Sequence, residues 1–122
     1  MLARLNNYLR PYRRRAGLSQ TEVAFLLGFH NDAPVSRYEK GHHLPPLRTA
    51  LAYNVILGVS LGELFSGIRL GIEKEVLPHI KELRAKLEKR CTEHHATVRD
   101  LRKLRWLDEH WPGARTQSDS IA

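Results

Sequence analysis

The sequence predicts an all-α protein, with five short helices in its first half and longer, highly charged helices in its second. No segment shows the alternation of apolar and polar residues that is typical of a half-buried strand, whereas helical spacings and helix caps recur. Near Gly67, apolar clusters separated by turn signals give way to a segment dominated by charged residues. We therefore expect a domain over residues 1–67, a charged helical region over residues 68–111 and a flexible tail over residues 112–122.

Each short helix in the first half begins at a capping residue or a proline. The clearest start is a capping box at the second helix, where the side chains of Ser19 and Glu22 can each accept the other's backbone amide. Gly28 is expected to end that helix, because glycine readily adopts the left-handed backbone that follows a helix. The other starts are expected shortly before Pro11, at Asp32, at Pro46 and at Ser60, which forms a second capping box with Glu63.

Apolar residues at helical spacing predict the buried faces of three helices. The three sets are Leu5, Leu9 and Tyr12; Leu47, Leu51 and Val55, with Ala50 and Ile56 nearby; and Ile72, Val76, Ile80, Leu83 and Leu87. The third set predicts a long helix, and Pro78 predicts a kink or a new start near Val76. This stripe is too apolar for an isolated helix, so we expect the N-terminal domain or a second copy of the chain to cover it.

The charge balance favours a polyanionic partner. The chain carries 20 Lys and Arg against 13 Asp and Glu, which gives a net charge of +7 and a pI near 10.0. Such an excess favours nucleic acid first and acidic lipid second. Because Cys91 is alone and no run is apolar enough to span a bilayer, we expect a cytoplasmic protein that joins the nucleoid when bound to DNA.

The segment from Gln20 to Glu39 is the best candidate for a functional site. A capped short helix, a glycine-led turn and a second short helix form a helix-turn-helix, whose second helix can enter the major groove. If Val35 and Tyr38 face the core, the outer face of that helix consists of Asp32, Ala33, Ser36 and Arg37.

Several sequence pieces support this interpretation by their order and spacing. They are Gly17-Leu18-Ser19-Gln20, Glu22-Val23-Ala24, Gly28, Val35-Ser36-Arg37-Tyr38-Glu39-Lys40-Gly41, the proline at Pro45 or Pro46, and Leu57-Gly58-Val59-Ser60 leading to Glu63-Leu64-Phe65. With them, the stretch from Leu18 to Phe65 resembles the Cro/lambda-repressor-type, or XRE-type, helix-turn-helix family. The resemblance implies a five-helix, lambda-repressor-like DNA-binding domain that usually works as a dimer.

The resemblance also implies roles for individual residues. In the family, the Gln that opens helix two contacts phosphate, and the first turn and outer face of helix three read bases. An arginine of helix one often pairs with the glutamate that ends helix three; here these are Arg13 and Glu39, although Arg13 could instead face phosphate. His42 and His43, beside Lys40 and Arg48, are expected to contact the DNA backbone. The main expected DNA contacts are Gln20, Thr21, Asn31, Asp32, Ala33, Ser36, Arg37, Lys40, His43 and Arg48.

Two features of the turn depart from the family pattern. The turn from Gly28 to Asp32 is one residue longer than usual, which leaves the register of the third helix on DNA open. Asp32 can either cap that helix or accept a hydrogen bond from N4 of cytosine, and we favour capping.

No motif of an enzyme active site is present, so we expect neither catalysis nor a cofactor. Cys91, His94 and His95 share a helix face, but a structural zinc site needs four ligands, so no metal is expected. The acid-free stretch from Met1 to Arg15 has the composition of a mitochondrial presequence, yet its apolar positions are needed for the core.

The favoured function is a sequence-specific transcriptional regulator that binds a palindromic operator as a homodimer, with residues 68–111 as the dimerisation region. One alternative is an antitoxin-type protein whose C-terminal helices bind a toxin and whose helix-turn-helix autoregulates the operon. Another is an RNA-binding protein, which suits the charge but not the motif, because RNA readers rely on exposed aromatic residues or on shape.

Overall fold

The computed structural model describes residues 7–114, which contain seven α-helices and one 3-10 helix. In chain order these are α1 (Leu9–Arg15), α2 (Gln20–Leu27), α3 (Ala33–Glu39), α4 (Leu47–Leu57), α5 (Leu61–Leu64), α6 (Ser66–Thr92), α7 (Val98–His110) and the 3-10 helix (Pro112–Ala114). No strand occurs in this part of the chain, so the predicted all-α class is confirmed. The chain divides into two compact units between Gly71 and Ile72.

The N-terminal unit has the predicted architecture of five short helices. Both hydrogen bonds of the Ser19–Glu22 capping box are present, and Gly28 ends α2 in the left-handed conformation with φ of 82°. Pro11 is the third residue of α1, where its missing N–H would have no partner inside the helix. The buried core of the unit consists of Leu9, Val23, Ala24, Val35, Tyr53 and Leu64. Leu5, which we expected on the buried face of α1, lies outside the described residues.

The predicted buried face of α4 is wrong for its main stripe, although Ala50, which was expected beside that stripe, is buried. The three residues of that stripe, Leu47, Leu51 and Val55, are 71%, 46% and 79% exposed. The helix instead turns Ala50 and Tyr53 inward, and the Tyr53 ring packs edge-on against Tyr38 at 6.5 Å between ring centroids. The spacing of aliphatic residues pointed to the wrong side because Tyr53, which the prediction left out, supplies the largest buried side chain.

Helix α6 is one continuous helix, so the new start that was expected near Val76 does not occur. It begins at Ser66, so Gly67 lies inside it, and it runs through Pro78 to Thr92 without a break. Of the predicted stripe only Leu87 is fully buried, while Ile72 and Leu83 are about half exposed. Most of the stripe is therefore partly or largely open to solvent.

The C-terminal unit is held by ion pairs between α6 and α7. Arg84 is buried and pairs with Glu88 at 2.8 Å and with Asp108 at 2.5 Å. Asp100 closes a capping box with Thr97 at the start of α7 and also pairs with Arg90. The expected tail starts at residue 112, but the chain first forms the 3-10 helix, which buries Ala114; the following residues lie outside the described part.

Candidate DNA-binding surface

Helix α3 is fixed to the rest of the N-terminal unit from one side. Val35 is fully buried, and Tyr38 packs against the same core. At the other end of the turn, Gly28 lets the chain reverse so that the amide of Phe29 donates to the carbonyl of Ala24 at 2.8 Å. Because one side of the helix is anchored in this way, its opposite side is free to meet a ligand.

The predicted DNA contacts all retain at least partial exposure. The six exposed residues are Thr21, Asn31, Arg37, Lys40, His43 and Arg48, and the four partly exposed residues are Gln20, Asp32, Ala33 and Ser36. Arg37 forms no ion pair with any described residue, so its guanidinium is free to donate hydrogen bonds to an anionic or carbonyl partner. Lys40 follows the last residue of α3 and is equally free.

The predicted capping role of Asp32 is wrong. Asp32 occupies the N-cap position, but its side chain makes no capping hydrogen bond. The carbonyl oxygen of the Asn31 side chain accepts from the amide of Ala33 at 2.9 Å instead. Asp32 Oδ2 accepts from the hydroxyl of Thr21 at 3.3 Å, which connects the start of α3 to α2. The extra residue in the turn explains why Asn31 caps the helix in place of Asp32, since it brings a second side chain that can cap to the helix start.

Arg13, Gln20 and Glu39 form one buried polar network beneath the surface. The Arg13 guanidinium donates to both oxygens of Glu39, at 2.6 Å from Nε and 3.1 Å from Nη2. Gln20 Nε2 donates to Glu39 Oε1 at 3.1 Å, and Arg13 Nη1 donates to the carbonyl of Leu18 at 2.8 Å. The hydrogen bonds to Glu39 raise the pKa of Arg13, so the guanidinium stays charged at any ordinary pH.

The bond between Gln20 and Glu39 was not expected from the sequence. It orients the Gln20 carboxamide, because one of its two amide hydrogens is committed to the carboxylate and the other remains for a ligand. A phosphate contact by Gln20 therefore uses a side chain that is already held in place by α1 and α3.

A groove of about 780 Å³ opens where α1, α2 and α3 meet. Three predicted contacts line it, namely Gln20, Ser36 and Lys40. Glu39 and His42, for which roles were expected from the sequence, also line it, together with four residues that were not expected there, namely Asn7, Tyr8, Arg10 and Pro11. A signal for Arg10 was available, since it belongs to the acid-free, arginine-rich stretch before Gly17. The groove thus brings cations from α1 and from the end of α3 to one side of the unit, where they suit an anionic ligand.

Residues 7–114 contain no cluster of three or more His, Cys, Asp and Glu side chains that could hold a metal ion, and Cys91 is a free thiol. No helix among them has the length and apolarity that a membrane span requires.

Comparison with known proteins agrees with this geometry. The family described as helix-turn-helix domain matches residues 4–65, about half of the chain, and the match includes all of α1 to α5. Neither the curated proteins nor the solved structures give a significant match. The resemblance noted from the sequence is confirmed at the level of the helix-turn-helix domain, which binds DNA and is typically not an enzyme. This chain belongs to the helix-turn-helix domain family.

Proposed function

We propose that this protein is a sequence-specific transcriptional regulator that binds a palindromic operator as a homodimer, with α3 in the major groove. The observation that carries the proposal is the two-sided character of α3 within a helix-turn-helix domain. Val35 anchors the helix in the core, while Arg37 is exposed two residues later without an ion pair among the described residues. A helix held in this way can press its outer face against base edges.

Selection of DNA from a random pool tests the proposal directly. We expect the full-length protein to enrich one sequence with two inverted half-sites, whose centres lie about 34–36 Å or a multiple of that distance apart. A pool that shows no enriched sequence after repeated rounds would contradict sequence-specific binding. Enrichment of a single half-site would contradict the dimer.

Arg37 and Gln20 are proposed to have different tasks on that DNA. A guanidinium fits the O6 and N7 acceptors of guanine, and such a pair discriminates by about 1–3 kcal/mol. Arg37→Ala should therefore flatten the preference at one symmetric pair of positions. Gln20→Ala should weaken all sequences alike, because a phosphate contact carries no sequence information. Binding across single-base variants of the selected operator separates the two patterns, and a uniform loss for Arg37→Ala would remove this residue from the base readers.

The dimer is proposed to form through residues 68–111. The supporting observation is that Ile72 and Leu83, two members of the apolar stripe on α6, are 51% and 45% exposed in one chain. We expect Ile72→Asp/Leu83→Asp to be monomeric in sedimentation equilibrium. Leu47→Asp/Val55→Asp, the same change at two exposed residues of α4 outside residues 68–111, serves as the control and should leave the dimer intact. A dimer that survives the double substitution would show that another surface joins the two copies.

The antitoxin-type function is a second candidate, supported by a different part of the same region. Val98 and Leu101 are large apolar residues exposed on α7, and exposed apolar groups of this kind are common at protein interfaces. The test is co-expression with the product of any toxin-like reading frame beside the gene. A stoichiometric complex that Val98→Asp/Leu101→Asp abolishes would support this candidate, whereas an isolated gene with an upstream palindrome favours the regulator.

A further inference from the structure

One side of α7 carries mainly basic and aromatic residues, with one acid, Glu109, at its edge. Its members are Arg99, Arg102, Lys103, Trp106 and His110. They recur at helical spacings of three and four, so they form one continuous face along the helix. This face is separate from the buried side of α7, which carries Asp100 and Leu107. We propose that this basic face of α7 binds the phosphate backbone of DNA, as a second contact surface outside the helix-turn-helix domain.

Two of the three cations on this face have no ion pair among the described residues, while the third, Lys103, lies 3.9 Å from Asp100. Arg99 and Arg102 are exposed and form no ion pair with any residue between 7 and 114. Of the acids on α7, Asp100 pairs with Arg90 and Asp108 pairs with the buried Arg84. The third acid of α7, Glu109, is exposed and unpaired among the described residues, but the cations of the face outnumber it, so the face presents a net positive charge.

The aromatic part of the face is rigid. The rings of Trp106 and His110 stack with centroids 4.5 Å apart and planes 15° from parallel. His110 Nδ1 also lies 3.0 Å from the carbonyl oxygen of Trp106, and the indole remains 49% exposed. An indole held in this way offers a flat apolar surface and one N–H donor beside the cations, a combination that suits sugar and phosphate.

The dimensions and chemistry favour DNA over a membrane surface. From Arg99 to His110 the face extends about 17 Å at 1.5 Å per residue, which matches roughly five phosphates of one DNA strand. Guanidinium groups bind phosphate oxygens through paired hydrogen bonds. A helix that lies in a lipid surface inserts an apolar side along its length. In α7 the exposed aliphatic residues Val98 and Leu101 both lie in the first turn, and Leu107 is buried in the protein.

The test compares Arg99→Gln/Arg102→Gln with a control that removes the same charge elsewhere. The control, Arg105→Gln/Lys81→Gln, changes two exposed cations that lie outside the face and form no ion pair among the described residues. Dissociation constants are measured for the full-length variants on a duplex of unrelated sequence over a series of KCl concentrations. Melting temperatures of both variants should match that of the unsubstituted protein.

We expect the face variant to reduce the slope of log K against log salt by about 1.8, since each phosphate contact contributes about 0.9. If the binding curves converge at 1 M salt, this corresponds to roughly a 60-fold loss of affinity at 0.1 M. The control should change the slope by much less. Equal changes in the two variants would overturn the proposal, because a general charge effect would then account for both.

Two further measurements separate this proposal from its alternatives. Vesicles that contain phosphatidylserine should bind the face variant and the control equally; if the face variant loses vesicle binding but keeps its DNA slope, the surface serves lipid and the proposal is wrong.

The proposal does not depend on base reading by α3. A protein that selects no sequence, but whose salt slope still falls in the face variant, would refute the proposed regulator and support the α7 surface.

Discussion

The Arg13–Glu39 pair is expected to set much of the stability of the N-terminal unit, and Glu39→Gln tests this. The two side chains are only 9% and 2% exposed, and they share two hydrogen bonds of 2.6 and 3.1 Å. The carbonyl of Leu18 also holds the guanidinium, so in the variant the positive charge stays buried without its carboxylate. Breaking a buried pair in this way costs about 3–5 kcal/mol. We expect about 3 kcal/mol, because the new carboxamide keeps the shape and one acceptor oxygen.

Urea unfolding of the full-length chain provides the measurement. All four tyrosines precede the boundary at Gly71 and both tryptophans follow it, so each unit has its own fluorescence signal. At a typical slope of about 2 kcal/mol per M of urea, the tyrosine-reported midpoint should fall by about 1.5 M. The tryptophan-reported midpoint should change much less, since no residue of the C-terminal unit is altered.

The matched control is Glu63→Gln, which removes the same charge from an exposed residue of the same unit. Glu63 accepts a hydrogen bond from the Tyr12 hydroxyl at 3.3 Å, so this control also loses a polar contact. Arg13→Met/Glu39→Met should be more stable than Glu39→Gln, because no charge is left buried without a partner. A Glu39→Gln midpoint that equals the control's would show that the pair contributes nothing beyond an exposed ion pair, and our reasoning would fail.

Three other outcomes follow from the observed contacts. Asn31→Ala should destabilise the N-terminal unit by about 1 kcal/mol in urea unfolding, as loss of a helix cap does, whereas Asp32→Ala should cost less than half of that. Asp32→Asn should change the base selected at one symmetric pair of positions from cytosine to adenine, since a carboxylate accepts from cytosine N4 and a carboxamide pairs with adenine; an unchanged selection would show that Asp32 reads no base. Hydrogen bonds from Thr97 lower the pKa of Asp100, so its stabilising effect is complete above about pH 3.9 and is lost as the pH falls through the lower folded-state pKa. The melting temperature of Asp100→Asn should therefore fall less steeply than that of the unsubstituted protein between about pH 4 and pH 2.

Local signals in the sequence were sufficient for much of the N-terminal unit. The capping box at Ser19, the end of α2 at Gly28 and the inward position of Val35 depend on neighbouring residues, and all three are observed. Capping and helical periodicity act within a few residues, so they can be recognised without knowledge of the fold.

The features that the sequence did not predict correctly depend on the choice between competing groups. Tyr53 and the leucines of α4 lie on different sides of one helix, and only packing against α3 decides which side is buried. Asn31 and Asp32 are adjacent residues of equal capping preference, and the path of the turn decides between them. Contacts between residues far apart in the chain, such as that between Gln20 and Glu39, leave no periodic signal at all.

Because Asn31 caps the start of α3, Asp32 does not have to both cap the helix and contact DNA. Because the neighbouring Asp32 does not hold the helix start, its replacement removes only an exposed hydrogen bond of 3.3 Å to Thr21. Position 32 can therefore accept many side chains at little cost in folding, so that substitutions there would leave the helix-turn-helix domain folded. A library randomised at residue 32, with Asn31 kept, would be expected to consist mainly of folded proteins that differ in the DNA they choose.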